Sequence, residues 1–84
     1  MTESFSLSEV KKYLEYEKRM LNGANEDVET AKKWLMDLLN ESDSTIVLNI
    51  GSHATRYASA LSRKLSLQRE IEKLEDLMSY WETL

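Results

Sequence analysis

Few side chains in this sequence have the type and spacing that catalysis or metal binding requires. His53 is the only histidine and the chain has no cysteine, so neither a Cys-based metal site nor a Cys–His pair can form. Acidic residues such as Glu15 and Glu26 are spaced as helix surface and helix start, not as an acid–base pair in a cleft. Two isolated glycines cannot build a phosphate-binding loop. We therefore predict a protein that is not an enzyme and holds no metal ion or cofactor.

Four basic residues lie in a stretch without acidic residues, residues 52–69, and could contact nucleic acid. They are Arg56, Arg63, Lys64 and Arg69. Arg56 and Arg63 are seven residues apart and share a helix face, to which Tyr57 could add base stacking. Four charges release few counterions, however, and the chain has a net charge of −4. A solvated helix surface is the simpler interpretation, and nucleic-acid association is kept as an alternative function.

The composition indicates one small helical domain. The chain has 84 residues, no proline and only two glycines, Gly23 and Gly51, so tight turns are scarce and an all-β fold is disfavoured. No apolar run exceeds three residues, which excludes a transmembrane helix. We expect no membrane contact and a cytoplasmic location, since a chain without cysteine suits a reducing compartment.

The first predicted helix covers residues 7–22. Ser6 and Glu9 have the spacing of a capping box, in which a hydroxyl and a carboxylate each satisfy a free backbone N–H. Asn22 and Gly23 form a typical stop signal, because glycine tolerates the left-handed conformation at a helix C-terminus.

A second helix is predicted at residues 26–40, with Asn25 as its N-cap. Its apolar stripe consists of Val28, Ala31, Trp34, Leu35, Leu38 and Leu39. The connection to the first helix is so short that the two should pack as an antiparallel hairpin. The polar residues 40–44 form the clearest loop.

From residue 52 to residue 82 the sequence predicts one long amphipathic helix. At 1.5 Å per residue it is about 45 Å long, whereas each helix of the predicted hairpin is about 24 Å long. The hairpin therefore cannot cover it, and its surplus apolar face should lie in an interface with another copy or another protein. The predicted interface residues are Leu61, Leu65, Ile71, Leu74, Met78 and Trp81.

The charges of this helix favour an antiparallel pairing between copies. Residues 52–69 are basic, and residues 70–84 hold five acidic residues against Lys73 alone. In an antiparallel pair the basic half of one helix lies beside the acidic half of the other. The aromatic residues of the chain, spaced as in helices, are predicted to lie in the core or in such an interface.

Residues 44–53, STIVLNIGSH, allow three interpretations. The long helix could begin near residue 45, capped by Asp43 or Ser44, with Gly51 inside it at a cost of about 1 kcal/mol. The β-branched run could instead form a strand, but it would need a partner strand from another molecule. The third possibility is an irregular buried loop.

The sequence thus predicts an all-α protein, a short antiparallel hairpin followed by one long helix that self-associates. The expected function is non-catalytic: a small adaptor, chaperone or inhibitor that presents a helical surface to a protein partner. A structural subunit of a larger assembly is a further alternative. The acidic, Cys-free and Pro-free composition is similar to that of small phage accessory and assembly proteins, and to that of small helical-hairpin secretion chaperones. No motif separates these two classes, and neither assigns a role to a residue.

Overall fold

The computed structural model describes residues 7–83, which form two α-helices joined by a short turn. Helix α1 spans Leu7–Leu38 and helix α2 spans Asp43–Glu82. They pack side by side in opposite directions and form a thin hairpin with dimensions of 64 × 17 × 16 Å. Both regular elements in this part of the chain are helical, which confirms the all-α prediction. The capping residue Ser6 lies outside the described residues.

Helix α1 is continuous, so the predicted break between helices at 7–22 and 26–40 is wrong. Gly23 and Asn25 lie inside the helix, and no glycine in the described residues has a positive φ. The side chains that α1 buries recur in steps of three, four and seven on both sides of Gly23 without a shift in phase. They are Val10, Leu14, Glu17, Ala24, Val28, Ala31 and Leu38.

The uninterrupted stripe explains why the local stop signal at Gly23 fails. A glycine inside a helix costs about 1 kcal/mol relative to alanine. Complete burial of one side chain such as Val28 is worth about 1.5–3 kcal/mol, and a break would take several such side chains out of register. The hairpin therefore turns at residues 39–42, not at residues 22–25.

Helix α2 includes the STIVLNIGSH segment, so the helical interpretation is confirmed and the strand and loop interpretations are wrong. The N-cap is Ser42, one or two residues before the predicted caps. Its backbone is extended, its Oγ accepts a hydrogen bond from the Thr45 N–H at 3.4 Å, and its carbonyl accepts from Ile46 at 3.0 Å. Gly51 lies within the helix, as that interpretation requires.

The turn satisfies several carbonyl groups at the end of α1. The N–H groups of Leu39, Asn40 and Glu41 donate to carbonyl oxygens of the last turn, at distances of 2.9–3.1 Å. The Asn40 side chain donates to the Met36 carbonyl at 3.3 Å. Since these carbonyls have no partner within the helix, the bonds stabilise its end.

The core is one thin seam between the two helices. Seven residues of α1 are buried, but in the described part of α2 only Ile71 is. Ala24 and Ala31 are buried almost completely, and such small side chains allow two helices to approach closely. Because each helix is covered on one side only, many large apolar side chains remain exposed.

Candidate interaction surfaces

Two contacts between the helices lie on the same side of the seam, which we call the first flank. The Arg56 guanidinium lies 4.2 Å from the centroid of the Trp34 ring, in cation–π geometry. One heptad further along, Arg63 Nη1 lies 3.2 Å from Asp27 Oδ2. Both partners step by seven residues in opposite directions, which is the register of an antiparallel coiled coil.

The second flank is marked by the ion pair between Lys18 and Glu75, with Nζ and Oε2 3.3 Å apart. Met20 lies one heptad before Asp27 and therefore belongs to the first flank. Lys18 precedes Met20 by two residues, which turns the helix by about 200° and places Lys18 on the other flank of the seam. Both ion pairs are about half exposed and contribute little stability, about 0–1 kcal/mol each, but they fix the register.

The open end of the hairpin, where α1 begins and α2 ends, carries an exposed aromatic cluster on the first flank. Tyr13 is two heptads before Asp27, and Leu77 is two heptads after Arg63, so both belong to this flank. The rings of Tyr13 and Tyr16 stack, with centroids 6.4 Å apart and planes inclined by 16°. We call Tyr13, Tyr16, Leu77 and Tyr80 the open-end surface; they are 48%, 49%, 38% and 61% exposed.

A shallow groove of about 360 Å³ lies beside these side chains. It is lined by Glu9, Val10, Tyr13, Leu74 and Leu77. The groove is predominantly apolar, with Glu9 as its one charged residue, and it can accept an apolar side chain of a partner. The sequence places Tyr13 and Tyr16 three residues apart on a helix, and that spacing is the signal that could have identified the cluster.

Tyr13 also interacts with a buried carboxylate of the seam, that of Glu17. Glu17 is only 6% exposed, at a position that the stripe otherwise fills with apolar side chains. A hydrogen bond from the Tyr13 phenol to the Glu17 carboxylate, reinforced by the negative charge, raises the pKa of Tyr13 above its usual 10.0.

Toward the closed end, where the turn lies, the second flank of α2 is apolar and free of charge. The positions that precede Glu75 in steps of seven are Gln68, Leu61, Ala54 and Val47. Leu65, Ala58 and Gly51 lie between them on the same face of the helix. We call six of these residues the uncharged stripe: Val47, Gly51, Ala54, Ala58, Leu61 and Leu65. Val47 is 75% exposed and Leu65 is 49% exposed, whereas Leu61 is half-buried.

The last turn of α1 and the first residue after it add two apolar side chains to this end of the second flank. Leu39 is three heptads after Lys18, and Met36 lies three residues before Leu39. They are 55% and 56% exposed, respectively. The register of Lys18 with Glu75 places Leu39 at the level of Ala54, close to the middle of the uncharged stripe.

The predicted nucleic-acid contacts are only partly available. Arg56 stacks on Trp34 and Arg63 pairs with Asp27, so α1 supplies partners for two of the four basic residues. Lys64 is half-buried, and Arg69 is exposed. The four residues therefore do not form one free basic patch.

The predicted interface residues divide between the seam and the surface. Ile71 is buried against α1 within one chain, and four others are half-buried. Those four are Leu61, Leu74, Met78 and Trp81. Leu65 is the exposed member of the set. Leu65 and Leu61 belong to the uncharged stripe, whereas Ile71, Leu74, Met78 and Trp81 continue the steps of the intrachain seam.

The described residues contain no group of three or more histidine, cysteine or carboxylate side chains that could hold a metal ion. The Nδ1 atom of His53 lies 3.0 Å from the Asn49 carbonyl oxygen, one helical turn back. Its ring borders a small hollow of about 110 Å³ together with Trp34, Ser52 and Arg56. Over residues 7–83, neither helix is both long and apolar enough to cross a membrane.

No protein-family model matches this chain, and comparisons with curated proteins and with solved structures gave no match.

Proposed function

We propose that this chain is a non-catalytic protein-interaction module that binds another protein through the open-end surface. The observation that supports the proposal most is the exposed, stacked pair of Tyr13 and Tyr16. Leu77 lines the same groove as Tyr13, and exposed Tyr80 follows Leu77 by three residues on α2. Tyrosine is enriched among residues that dominate binding energy, because its ring buries a large area and loses little conformational entropy. Single exposed apolar residues are common on any protein surface and indicate nothing, whereas a cluster of them indicates a binding site.

The groove beside the cluster fits the same role. Its volume of about 360 Å³ and its apolar lining suit one or two apolar side chains of a partner. An amphipathic helix of a partner, laid across the first flank, could place an apolar residue there and stack others on Tyr16 and Tyr80. The two-helix hairpin then serves as a rigid support with a fixed register.

Nucleic-acid association remains an alternative function with less support. Asp27 already neutralises part of the charge of Arg63, and Arg56 covers Trp34. Exposed Arg69 lies one residue before Glu70. Replacement of Arg63 and Arg69 by glutamine should abolish nucleic-acid binding if it exists, and should leave protein binding at the open end unchanged.

A site-specific photo-crosslinker at Tyr80 tests the proposal in the cells that make this protein. We expect one protein to be captured from Tyr80 and not from Lys12, an exposed position on the outer side of α1. With that partner purified, Tyr16→Ser and Tyr80→Ser should each weaken binding at least tenfold, while Lys12→Ala should not. Equal capture from both positions, or binding unaffected by both tyrosine substitutions, would contradict the proposal.

A further inference from the structure

The uncharged stripe on α2 is a second seam that nothing in the described chain fills. Its six residues follow one another in steps of four, three, four, three and four, as core positions of a coiled coil do. It is about 27 Å long at 1.5 Å per residue. Four of its members, Val47, Ala54, Ala58 and Leu65, are exposed although they are apolar.

The middle of the stripe leaves room for another helix to come close. Gly51 has no side chain, and a Cβ built on it meets no atom within 4 Å. Ala54 and Ala58 follow it on the same face, and small residues permit short distances between helix axes. The larger residues lie at the two ends of the stripe, Val47 at one end and Leu61 and Leu65 at the other.

This order of large and small residues allows the stripe to pack against a second copy of itself that runs in the opposite direction. In an antiparallel pair of α2 helices, Val47 of one copy lies opposite Leu65 of the other. Gly51 then lies opposite Leu61, and Ala54 opposite Ala58. Leu61 of each copy therefore faces the open space at Gly51 of the other, while Val47 and Leu65 make an apolar contact at each end. The pairing is isologous, as a two-fold symmetric dimer requires.

The charges beyond the stripe favour the same direction. Arg69 lies four residues after Leu65, and Asp43 lies four residues before Val47, with Glu41 close to it in the turn. Within residues 7–83 none of these three charges has an ion-pair partner. The antiparallel pairing brings Arg69 of each copy to the level of Asp43 of the other, whereas a parallel pairing would place like charges together.

Two exposed apolar side chains at the end of α1 and in the turn support the same symmetry axis. The antiparallel pairing has its centre near residue 56 of α2, and the second-flank register places Met36 and Leu39 at that level. Both side chains are more than half exposed in one chain. In the pair they lie next to their own copies, so the apolar patches of both helices are centred on one axis.

We propose that a second copy of this chain docks antiparallel on the uncharged stripe and forms a four-helix bundle at the two closed ends. The register differs from the predicted seam through Ile71 and Met78, because those residues continue the seam that α1 covers. The two open-end surfaces point away from each other at the far ends of the dimer. This pairing does not depend on the proposed partner at the open end.

Two neighbouring substitutions on α2 test the dimer. Ala58→Glu places a charge in the stripe, while Ser59→Glu places the same charge on the next residue, about 100° further round the helix. Both positions are exposed and glutamate favours helix, so circular dichroism should show equal helicity. We expect light scattering over a hundredfold concentration range to give a dimer for the wild type and for Ser59→Glu, and a monomer for Ala58→Glu.

Disulfide formation tests the register, since the natural chain has no cysteine. An equimolar mixture of Ala54→Cys and Ala58→Cys should form the mixed disulfide in excess over either homodimer, and a mixture of Ala54→Cys and Ser59→Cys should not. A wild-type monomer at all concentrations would overturn the proposal and leave the stripe to a different protein. A dimer that survives Ala58→Glu, or a mixture without the excess, would overturn it as well.

Discussion

The Arg56 guanidinium lies 4.2 Å from the centroid of the Trp34 ring, across the seam from one helix to the other. One heptad away, Arg63 of α2 likewise reaches across the seam and pairs with Asp27 of α1. Together the two contacts fix how far α2 is shifted along α1. The positions of the open-end surface and of the uncharged stripe both follow from that shift.

The contact between Arg56 and Trp34 should contribute measurably to stability. Trp34 is 41% exposed, and a cation–π pair at an exposed site is worth about 0.5–1 kcal/mol. A double-mutant cycle with Arg56→Gln and Trp34→Leu, measured by urea unfolding, should give a coupling free energy of that size. The same cycle with Arg69→Gln in place of Arg56→Gln is the control, and a coupling as large in the control would argue against the contact.

Replacement of Gly23 by alanine should stabilise the protein by about 1 kcal/mol, the difference in helix propensity between the two residues. A Cβ on Gly23 meets no atom within 4 Å, and its φ is not positive. Urea unfolding of Gly23→Ala measures the effect. A loss of stability would indicate instead that Gly23 ends a helix in the left-handed conformation, where alanine is strained.

Replacement of Glu17 by leucine should raise the free energy of unfolding by about 1–2 kcal/mol. The position is 6% exposed and lies in the apolar stripe of α1, so leucine adds buried apolar surface and removes a poorly hydrated carboxylate. Glu15→Leu is the matched control, because Glu15 is exposed and should change stability little. If Glu17→Leu destabilises the protein, the hydrogen bond to Tyr13 outweighs both gains.

Stability should fall in alkaline solution partly because of Tyr13. Its pKa is raised above 10.0 by the hydrogen bond to Glu17 and by the charge of that carboxylate, so the folded state favours the neutral phenol. The contribution is complete below pH 10 and is lost as the pH rises through the raised pKa of the folded state. Urea unfolding at a series of pH values should show this loss in the wild type and a smaller loss in Tyr13→Phe. Identical slopes for the two proteins would contradict the assignment.

The helical class and the end of α2 near residue 82 could be predicted from the sequence, because they depend on local periodicity. The continuity of α1 could not, since the signal at Asn22 and Gly23 is typical of a helix end. The apolar stripe of α1, which continues in register past Gly23, outweighs this signal. That stripe argues for one helix only when α2 is known to pack against it on both sides of Gly23. Local signals also suggested a strand at residues 45–50, although Ser42 supplies the N-cap of a helix there.

The candidate surfaces were harder to predict for a related reason. Helix α2 carries two apolar stripes, and the sequence alone does not say which of them faces α1. The pairing of Lys18 with Glu75 and of Asp27 with Arg63 assigns Ile71 to the intrachain seam and leaves Leu65 exposed. Tyr13 and Tyr16 could be recognised as neighbours on a helix, but their exposure depends on the same assignment.

The most direct test of the account is a distance within α1, since both proposals need this helix to be one straight rod. Spin labels on Ser8→Cys and Asp37→Cys, two exposed positions, can be compared by pulsed electron–electron double resonance. We expect about 44 Å between the two backbone positions, 29 residues at 1.5 Å each. A distance below about 20 Å would contradict it, because helices that turn back at Gly23 pack about 8–10 Å apart and bring the two sites together.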